Sequence, residues 1–376
     1  MSGIYIHIPF CRQKCIYCNF YSVRSDEETI AQYIDCLVEE IHIQKDYLSC
    51  KKIDTIYFGG GTPSLLNIGQ INQIVDELSK HFDLSDVREV TFEANPESIT
   101  INYLKQLLNE TIINRLSIGI QSFFDEDLKF LNRKHSSEQS INSIKKAQDI
   151  GFENISIDFI YGIPSLTNEK WIQNLTQGIK LKVQHISAYA LTVEPDTILD
   201  KQIRKGKTTE PNENSMVEHF QTLMNIMKEY GYEHYEISNF AKPNFHSKHN
   251  SSYWNGTHYL GLGASAHSFD EKSRQWNCAD IRSYLNAIQN KKAFFERETL
   301  TVNDQFNEYV MTGLRTSNGI NKQYISTHFD KKLSGKLEEN IKKYIAEELV
   351  METSSSYILT TKGKLFADRI AGDLFI

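Results

Sequence analysis

Three of the chain's six cysteines, Cys11, Cys15 and Cys18, fall within eight residues, and Cys36, Cys50 and Cys278 are scattered. The segment reads Ile8-Pro9-Phe10-Cys11-Arg12-Gln13-Lys14-Cys15-Ile16-Tyr17-Cys18-Asn19-Phe20. Gaps of three and two residues let three thiolates wrap one small inorganic core. Thiolate is the soft ligand that zinc and iron–sulfur clusters require. Phe10, Tyr17 and Phe20 would restrict solvent around such a core. The residues alone leave three readings open. One is an iron–sulfur cluster held by the three thiolates. Another is a Cys3His zinc site using His7, and the third is a Cys15-x-x-Cys18 redox pair.

Other segments hold polar groups at the ends of apolar runs. Gly59-Gly60-Gly61-Thr62-Pro63-Ser64 lets backbone approach a ligand closely. It is not a phosphate-binding P-loop, because no Gly-Lys-Ser/Thr follows. Glu93-Ala94-Asn95-Pro96-Glu97, Gly119-Ile120-Gln121-Ser122-Phe123 and Asp158-Phe159-Ile160-Tyr161-Gly162-Ile163-Pro164 each place a polar side chain at or near the carboxyl end of an expected strand. Singly, each is as well explained by a satisfied interior residue as by a ligand contact; together they line one rim. Gly261-Leu262-Gly263-Ala264-Ser265-Ala266 mimics a dinucleotide fingerprint but follows no βαβ entry strand, so it reads as a close-approach loop. His249-Asn250-Ser251-Ser252-Tyr253-Trp254 sets one imidazole among aromatics; taken alone, the pattern favours a structural histidine in a loop over an iron ligand. His246 and His267 compete with His249 for the ligand role.

The elements that would position these residues follow from periodicity. Strands are expected at 3–8, 54–58, 88–94, 114–120, 154–160 and 183–192. Helices are expected at 27–48, 68–82, 100–109, 125–131, 137–150 and 168–180. Six strand-then-helix units imply parallel strands joined by helical crossovers. Six are too few for a closed eight-stranded barrel, so the fold class is α/β, a partial (βα)6 barrel with its chemistry at the carboxyl edge of the strands. The rhythm changes near residue 205. A helix at 212–231 precedes an irregular aromatic stretch from His234 to His267. Residues 303–376 read as helices at 303–316, 321–328 and 332–347, a hairpin around Ser354-Ser355-Ser356, and a last helix. The expected division is 1–205 as the barrel, 206–300 as an α+β extension, and 301–376 as a small helical or winged-helix-like domain.

Composition restricts the class further. The 376 residues carry 41 Lys+Arg against 48 Asp+Glu, a net charge of −7, which argues against a nucleic-acid surface. No stretch approaches 18 consecutive apolar residues, so no membrane span is expected. The amino terminus has no secretory pattern, and the cysteines are too few for a disulfide scaffold. A reducing cytoplasm is therefore the expected compartment.

The C-x3-C-x2-C spacing, with aromatic Tyr17 before the last cysteine, resembles the radical S-adenosylmethionine (SAM) superfamily. In that superfamily three cysteines hold a 4Fe-4S cluster whose open iron chelates SAM. The segments YIHIPFC, GGGTPS, FEANPE, GIQSF, LNRKH, IDFIYGIP, ISAYALTVEP, YEISNFAKP, HNSSYW and GLGASAHS are similar to the branch containing oxygen-independent coproporphyrinogen III oxidase. They resemble its HemW-type heme chaperone relatives most closely. The resemblance implies cluster ligation by Cys11, Cys15 and Cys18. It implies SAM contacts at Tyr5, Gly60, Thr62, Glu93, Gln121, Arg133 and Asp158, and heme ligation at His249. It also implies an electron donor for the cluster and a heme-acceptor protein, a respiratory-chain hemoprotein being one candidate. Two loops depart from the family pattern: Gly162-Ile163-Pro164-Ser165-Leu166-Thr167 stands where Gly-Leu-Pro-Gly-Gln-Thr is common, and Glu194-Pro195-Asp196-Thr197 where Glu-Pro-Gly-Thr is. The oxidase relatives carry a fourth cysteine two residues after the third, where this chain has Phe20, and a longer extension before the first cysteine, where this chain has ten residues. Both differences favour the chaperone over the oxidase, or over another radical enzyme acting on a tetrapyrrole.

Overall fold

The structure, a computed structural model, describes residues 2–376. Strands β1 (Ser2–Ile8), β2 (Ile53–Gly60), β3 (Glu89–Ala94), β4 (Arg115–Gln121), β5 (Asn154–Tyr161) and β6 (His185–Ala190) lie side by side in sequence order, all parallel. Between them run α1 (Glu27–Gln44), α2 (Ile68–His81), α3 (Ile101–Glu110), α4 (Asp125–Phe130), α5 (Ser137–Ile150) and α6 (Asn168–Lys180). Local chemistry starts these helices. Asp26, Thr100 and Thr167 accept from backbone N–H groups of the first turn, and Asn67 with Gln70 and Ser136 with Gln139 close capping boxes.

Period-2 alternation divides each strand between two environments. Ile4, Ile6 and Ile8, then Ile56 and Phe58, Val90 and Phe92, and Leu116, Ile118 and Ile120 belong to the hydrophobic core shared with the helices. The opposite parity is polar and faces the barrel interior. It includes Tyr57, Glu93, Arg115, Ser117, Gln121, Asp158 and Ser187, all of which line an internal cavity. The core therefore sits between sheet and helices, and the interior is left for chemistry.

The expected irregular stretch from His234 to His267 extends the same sheet instead. After α7 (Ile198–Arg204) and α8 (Glu213–Glu229), β7 (Glu233–Glu236) pairs antiparallel with β8 (Asn239–Ala241), which adds antiparallel to β6. Past α9 (Lys248–Trp254), β9 (Tyr259–Leu262) pairs parallel with β1. Then β10 (His267–Phe269), β11 (Ser273–Asn277), α10 (Ile281–Gln289) and β12 (Phe295–Thr299) follow, with the three strands continuing the sheet antiparallel. These strands have three to five residues each, too short for alternation to register. One hydrophobic cluster runs from Ile4 to Phe294, so residues 206–300 share the barrel's core.

A second cluster, from Phe306 to Leu374, holds the carboxyl-terminal unit. It contains α11 (Val302–Leu314), β13 (Ile320–Asn321), α12 (Lys322–His328), α13 (Lys331–Ala346), β14 (Val350–Glu352), β15 (Ser356–Leu359) and α14 (Ala367–Asp373). The hairpin expected at Ser354–Ser356 joins β14 to β15, and the three strands order as β13-β15-β14. This unit covers the β7 edge: Ile237 N–H donates to the Arg315 carbonyl, and Ser317 N–H to the Tyr235 carbonyl. Among the described residues, no helix is long and apolar enough to cross a membrane.

Candidate cofactor site

The loop after β1 carries Cys11, Cys15 and Cys18 to the carboxyl edge of the barrel. It is tied there by Cys11 N–H to the Val23 carbonyl at 2.9 Å and by Ile16 N–H to the Leu131 carbonyl at 3.3 Å. All three cysteines are free and half-buried, and all three line a cavity of about 400 Å³. Burial pushes the Cys11 thiol up and the Cys18 thiol to about 11, and each is opposed further by ionisation of its neighbours. Three sulfur donors converge on one cavity, and a cationic core would let the resistant Cys11 and Cys18 thiols become thiolates, so the donor set fits a metal cluster. The Cys3His zinc reading does not fit. His7 is buried, with Nδ1 shared with the Tyr5 hydroxyl and Nε2 with the Tyr21 carbonyl, each at 3.0 Å.

The glycine run explains how the loop seats. A Cβ on Gly61 would lie 2.7 Å from the Phe10 carbonyl oxygen and 2.9 Å from that of Ile8. Gly60 adopts φ +107°, and a Cβ there would strike the His7 ring at 2.6 Å. The glycines thus let the cysteine loop lie directly on β2, a packing role beside any ligand role.

Six of the seven residues implied for SAM line this one cavity: Gly60, Thr62, Glu93, Gln121, Arg133 and Asp158. Tyr5 does not. It packs beneath the glycine run, 6.0 Å from the Tyr57 ring, with its hydroxyl on His7. The Thr62 hydroxyl donates to Cys11 Sγ at 3.4 Å, and an Arg133 N–H donates to Cys15 Sγ at 3.5 Å. A second Arg133 nitrogen donates to Asn95 Oδ1 and to the Gly119 carbonyl, both at 2.6 Å, while Nε has no partner. Glu93 accepts from the Tyr57 hydroxyl at 2.7 Å and from Gly60 N–H at 3.2 Å. Burial, reinforced by nearby Asp158, pushes its carboxyl up to about 7. Burial also raises Asp158, which accepts from Ser117 at 3.3 Å. Gln121 holds φ +63° at a bulge on β4, a left-handed backbone for a non-glycine residue.

Sequence reasoning missed Asn95 as the link between Thr62 and Arg133, and missed Arg115, Ser117, Ser187, Tyr189 and Asn250 on the cavity wall. The signal was present on β4, where Arg115, Ser117, Gly119 and Gln121 share one parity and all line the cavity.

His249 lies apart from this wall. It is 0% exposed, on α9, with its ring 5.1 Å from that of Tyr57 and so behind the cavity lining. Its Nδ1 shares a hydrogen bond with the Thr55 hydroxyl and its Nε2 with the Tyr253 hydroxyl, each at 2.8 Å. Burial pushes it down to about 4, so the ring is neutral. Glu89 seats the helix, accepting from the N–H groups of Lys248 at 2.9 Å and His249 at 3.0 Å. In this conformation neither imidazole nitrogen can reach an iron. Asn250, the next residue, lines the cavity, so α9 forms its floor. His246 shares a hydrogen bond with Glu233 at 2.7 Å, and His267 is exposed. Of the Gly261–Ala266 segment, Gly261 and Leu262 end β9, and the rest is a loop that leads into β10 and opens no helix; Gly263 N–H donates to buried Glu40 at 2.7 Å.

Fold and cysteine loop together define a radical SAM protein. The model of the "Radical SAM superfamily" matches residues 5–176, and that of the "HemN C-terminal domain" matches residues 300–366. The protein named "Heme chaperone HemW" in Bacillus subtilis is 33% identical over 375 residues, covering 99% of this chain and 98% of that one. The one of the same name in Lactococcus lactis is 33% identical over 362 residues, covering 96% and 94%. The chain belongs to this HemW family. The solved coproporphyrinogen III oxidase (HemN) of Escherichia coli superposes with a TM-score of 0.85 at 24% identity, over 99% of this chain and 89% of that one, which shows the shared fold.

Proposed function

We propose that this chain is a heme chaperone that carries a 4Fe-4S cluster on Cys11, Cys15 and Cys18, binds SAM beside it, and hands heme to an acceptor protein. The observation that carries the reading is one cavity, bounded by three thiols at its mouth and by α9, with its HNSSYW segment, at its floor. The names of the relatives support the heme part. When bound, a 4Fe-4S cluster with SAM on its open iron supplies one-electron chemistry, which calls for an external electron donor. Arg133, held by Asn95 and the Gly119 carbonyl, pairs with the SAM carboxylate. Gly60 and Thr62 meet the amino group, and Glu93, Gln121 and Asp158 take the ribose hydroxyls or face the sulfonium. Tyr5 supports this wall from behind.

Heme ligation by His249 requires α9 to leave its seat. That helix is also held from the carboxyl-terminal unit, where the Arg315 guanidinium lies 5.2 Å from the Trp254 ring. Residues 301–376 therefore serve as the clamp over the heme segment. A reducing cytoplasm suits a chain whose six cysteines are all free. The acceptor is a hemoprotein, with those of the respiratory chain as the first to test. The oxidase reading has the shared fold behind it. Against it stands Phe20, 64% exposed at the position of that enzyme's fourth cysteine.

Anaerobic reconstitution with iron and sulfide tests the cluster: brown absorbance is expected in the wild type and lost in Cys15→Ala. Hemin should give a Soret band that shifts in His249→Ala. A lone zinc ion in oxygen-protected protein would overturn the cluster, and protoporphyrinogen formed from coproporphyrinogen would hand the function to the oxidase. If the Soret band is lost in His246→Ala or His267→Ala and not in His249→Ala, the heme ligand lies there.

A further inference from the structure

The outer helices carry a second constellation of ligating side chains, remote from the cysteines. The helices α1 and α2 pack side by side, joined by Gln73 Nε2 donating to Asp35 Oδ1 at 3.1 Å. His42 stands in the last turn of α1, and His81 is the last residue of α2. Glu77 lies one turn before His81, so both project from the same helix face. His81 Nε2 meets Glu77 Oε1 at 3.0 Å, and the His42 and His81 rings are 5.3 Å apart at 64°. One donor atom from each of the three lies within 4.8 Å of the other two.

We propose that His42, Glu77 and His81 form a binding site for a divalent cation of the zinc type, tying α1 to α2. Two imidazoles and one carboxylate are donors for Zn²⁺ and its late first-row neighbours, not for Ca²⁺ or Mg²⁺. Donors about 2.0–2.2 Å from a tetrahedral ion sit roughly 3.3–3.6 Å from one another. The Glu77–His81 pair, at 3.0 Å, opens by a few tenths of an ångström to reach that spacing, and the exposed His42 closes the remainder by rotating its side chain.

One feature of the surroundings favours a cation here. Each helix leads from the carboxyl end of one strand to the amino end of the next, so α1 and α2 end together on the rim opposite the cysteine loop. Their last carbonyls present partial negative charge to the space between His42 and His81. Lys80 Nζ occupies Oε2 at 2.7 Å, which leaves Oε1 on the side of His81. The free fourth position takes water, so the site is open and monodentate ligands can exchange there.

The test uses full-length protein with its cluster reconstituted, so that Cys11, Cys15 and Cys18 are not available to the probe. Zinc chloride is titrated against a chromophoric chelator of known affinity. One equivalent of Zn²⁺ beyond the cluster is expected. His42→Ala, His81→Ala and Glu77→Gln should each weaken its binding by at least about 10-fold. All three positions reach the surface, so folding should survive, and circular dichroism checks this. Cys50→Ser, at an exposed thiol elsewhere, should leave the affinity unchanged. The proposal is overturned if the wild type binds no zinc below millimolar concentration, if His42→Ala changes the affinity less than about twofold, or if Cys50→Ser abolishes binding.

Discussion

Thr55→Val isolates the step that would expose His249. Thr55 sits on β2, outside the HNSSYW segment, and its hydroxyl shares the hydrogen bond with His249 Nδ1 at 2.8 Å. Valine keeps the shape and suits a strand, so the change removes one polar atom from a buried site. With α9 seated, Nδ1 then has no partner in an environment without water. An orphaned buried group costs roughly 1–3 kcal/mol. With α9 released, water satisfies the nitrogen and the cost disappears. The seated-to-released equilibrium therefore shifts by the same amount, about 5- to 150-fold toward release. Apparent hemin affinity should rise by that factor, because it scales with the population able to bind. Two assays run together: hemin titration followed at the Soret band, and peptide-resolved acylation of His249 as a direct reading of its exposure. Faster acylation with hemin affinity unchanged would mean His249 is not the heme ligand. No change in either would refute the account of α9 as a closed plug.

Three further substitutions probe other parts of the molecule. Gly61→Ala should push the cysteine loop off β2 at a cost of roughly 1–3 kcal/mol, and iron content after reconstitution should fall well below that of the wild type; full loading would show the contact is not needed. Arg133→Lys keeps the charge and loses the fork, so SAM affinity by equilibrium dialysis should fall about 10-fold or more, and an unchanged value would remove Arg133 from the site. Glu40 is fully buried and its carboxyl is pushed by burial up to about 7, so its contribution to stability is complete below about pH 4.5 and is lost as pH rises through 7. That loss is on the order of 3 kcal/mol; Glu40→Gln should flatten the fall in Tm between pH 5 and 7.5, and an equal slope in both proteins would contradict the assignment.

The barrel was legible because each of its strands is long enough, six to eight residues, for parity and flanking turns to show. The additions at both sheet edges were not, since β8 and β10 have three residues each, too few for parity to register, and β8 takes its place by pairing with β6 from across α7 and α8. Cys11, Cys15 and Cys18 could be read together because they are local in sequence. Asn95 could not be singled out, because its importance comes from Thr62 and Arg133, 33 and 38 residues away. The position of His249 was the least legible of all. Its motif suggests an open loop, whereas the fold buries it against Thr55, 194 residues away.

That burial cannot originate in α9 itself. A helix of seven residues has too few internal hydrogen bonds to persist unaided. Its seat depends on three anchors from separate parts of the chain: Glu89 at its amino end, Thr55 on the imidazole, and Arg315 over Trp254. Glu89 holds the amino end through hydrogen bonds from Ser247, Lys248 and His249. Each anchor is worth one or a few kcal/mol, comparable to the cost of ordering so short a segment. The balance that keeps His249 hidden is therefore small, and it is set by the barrel and the carboxyl-terminal unit acting on α9 from opposite sides.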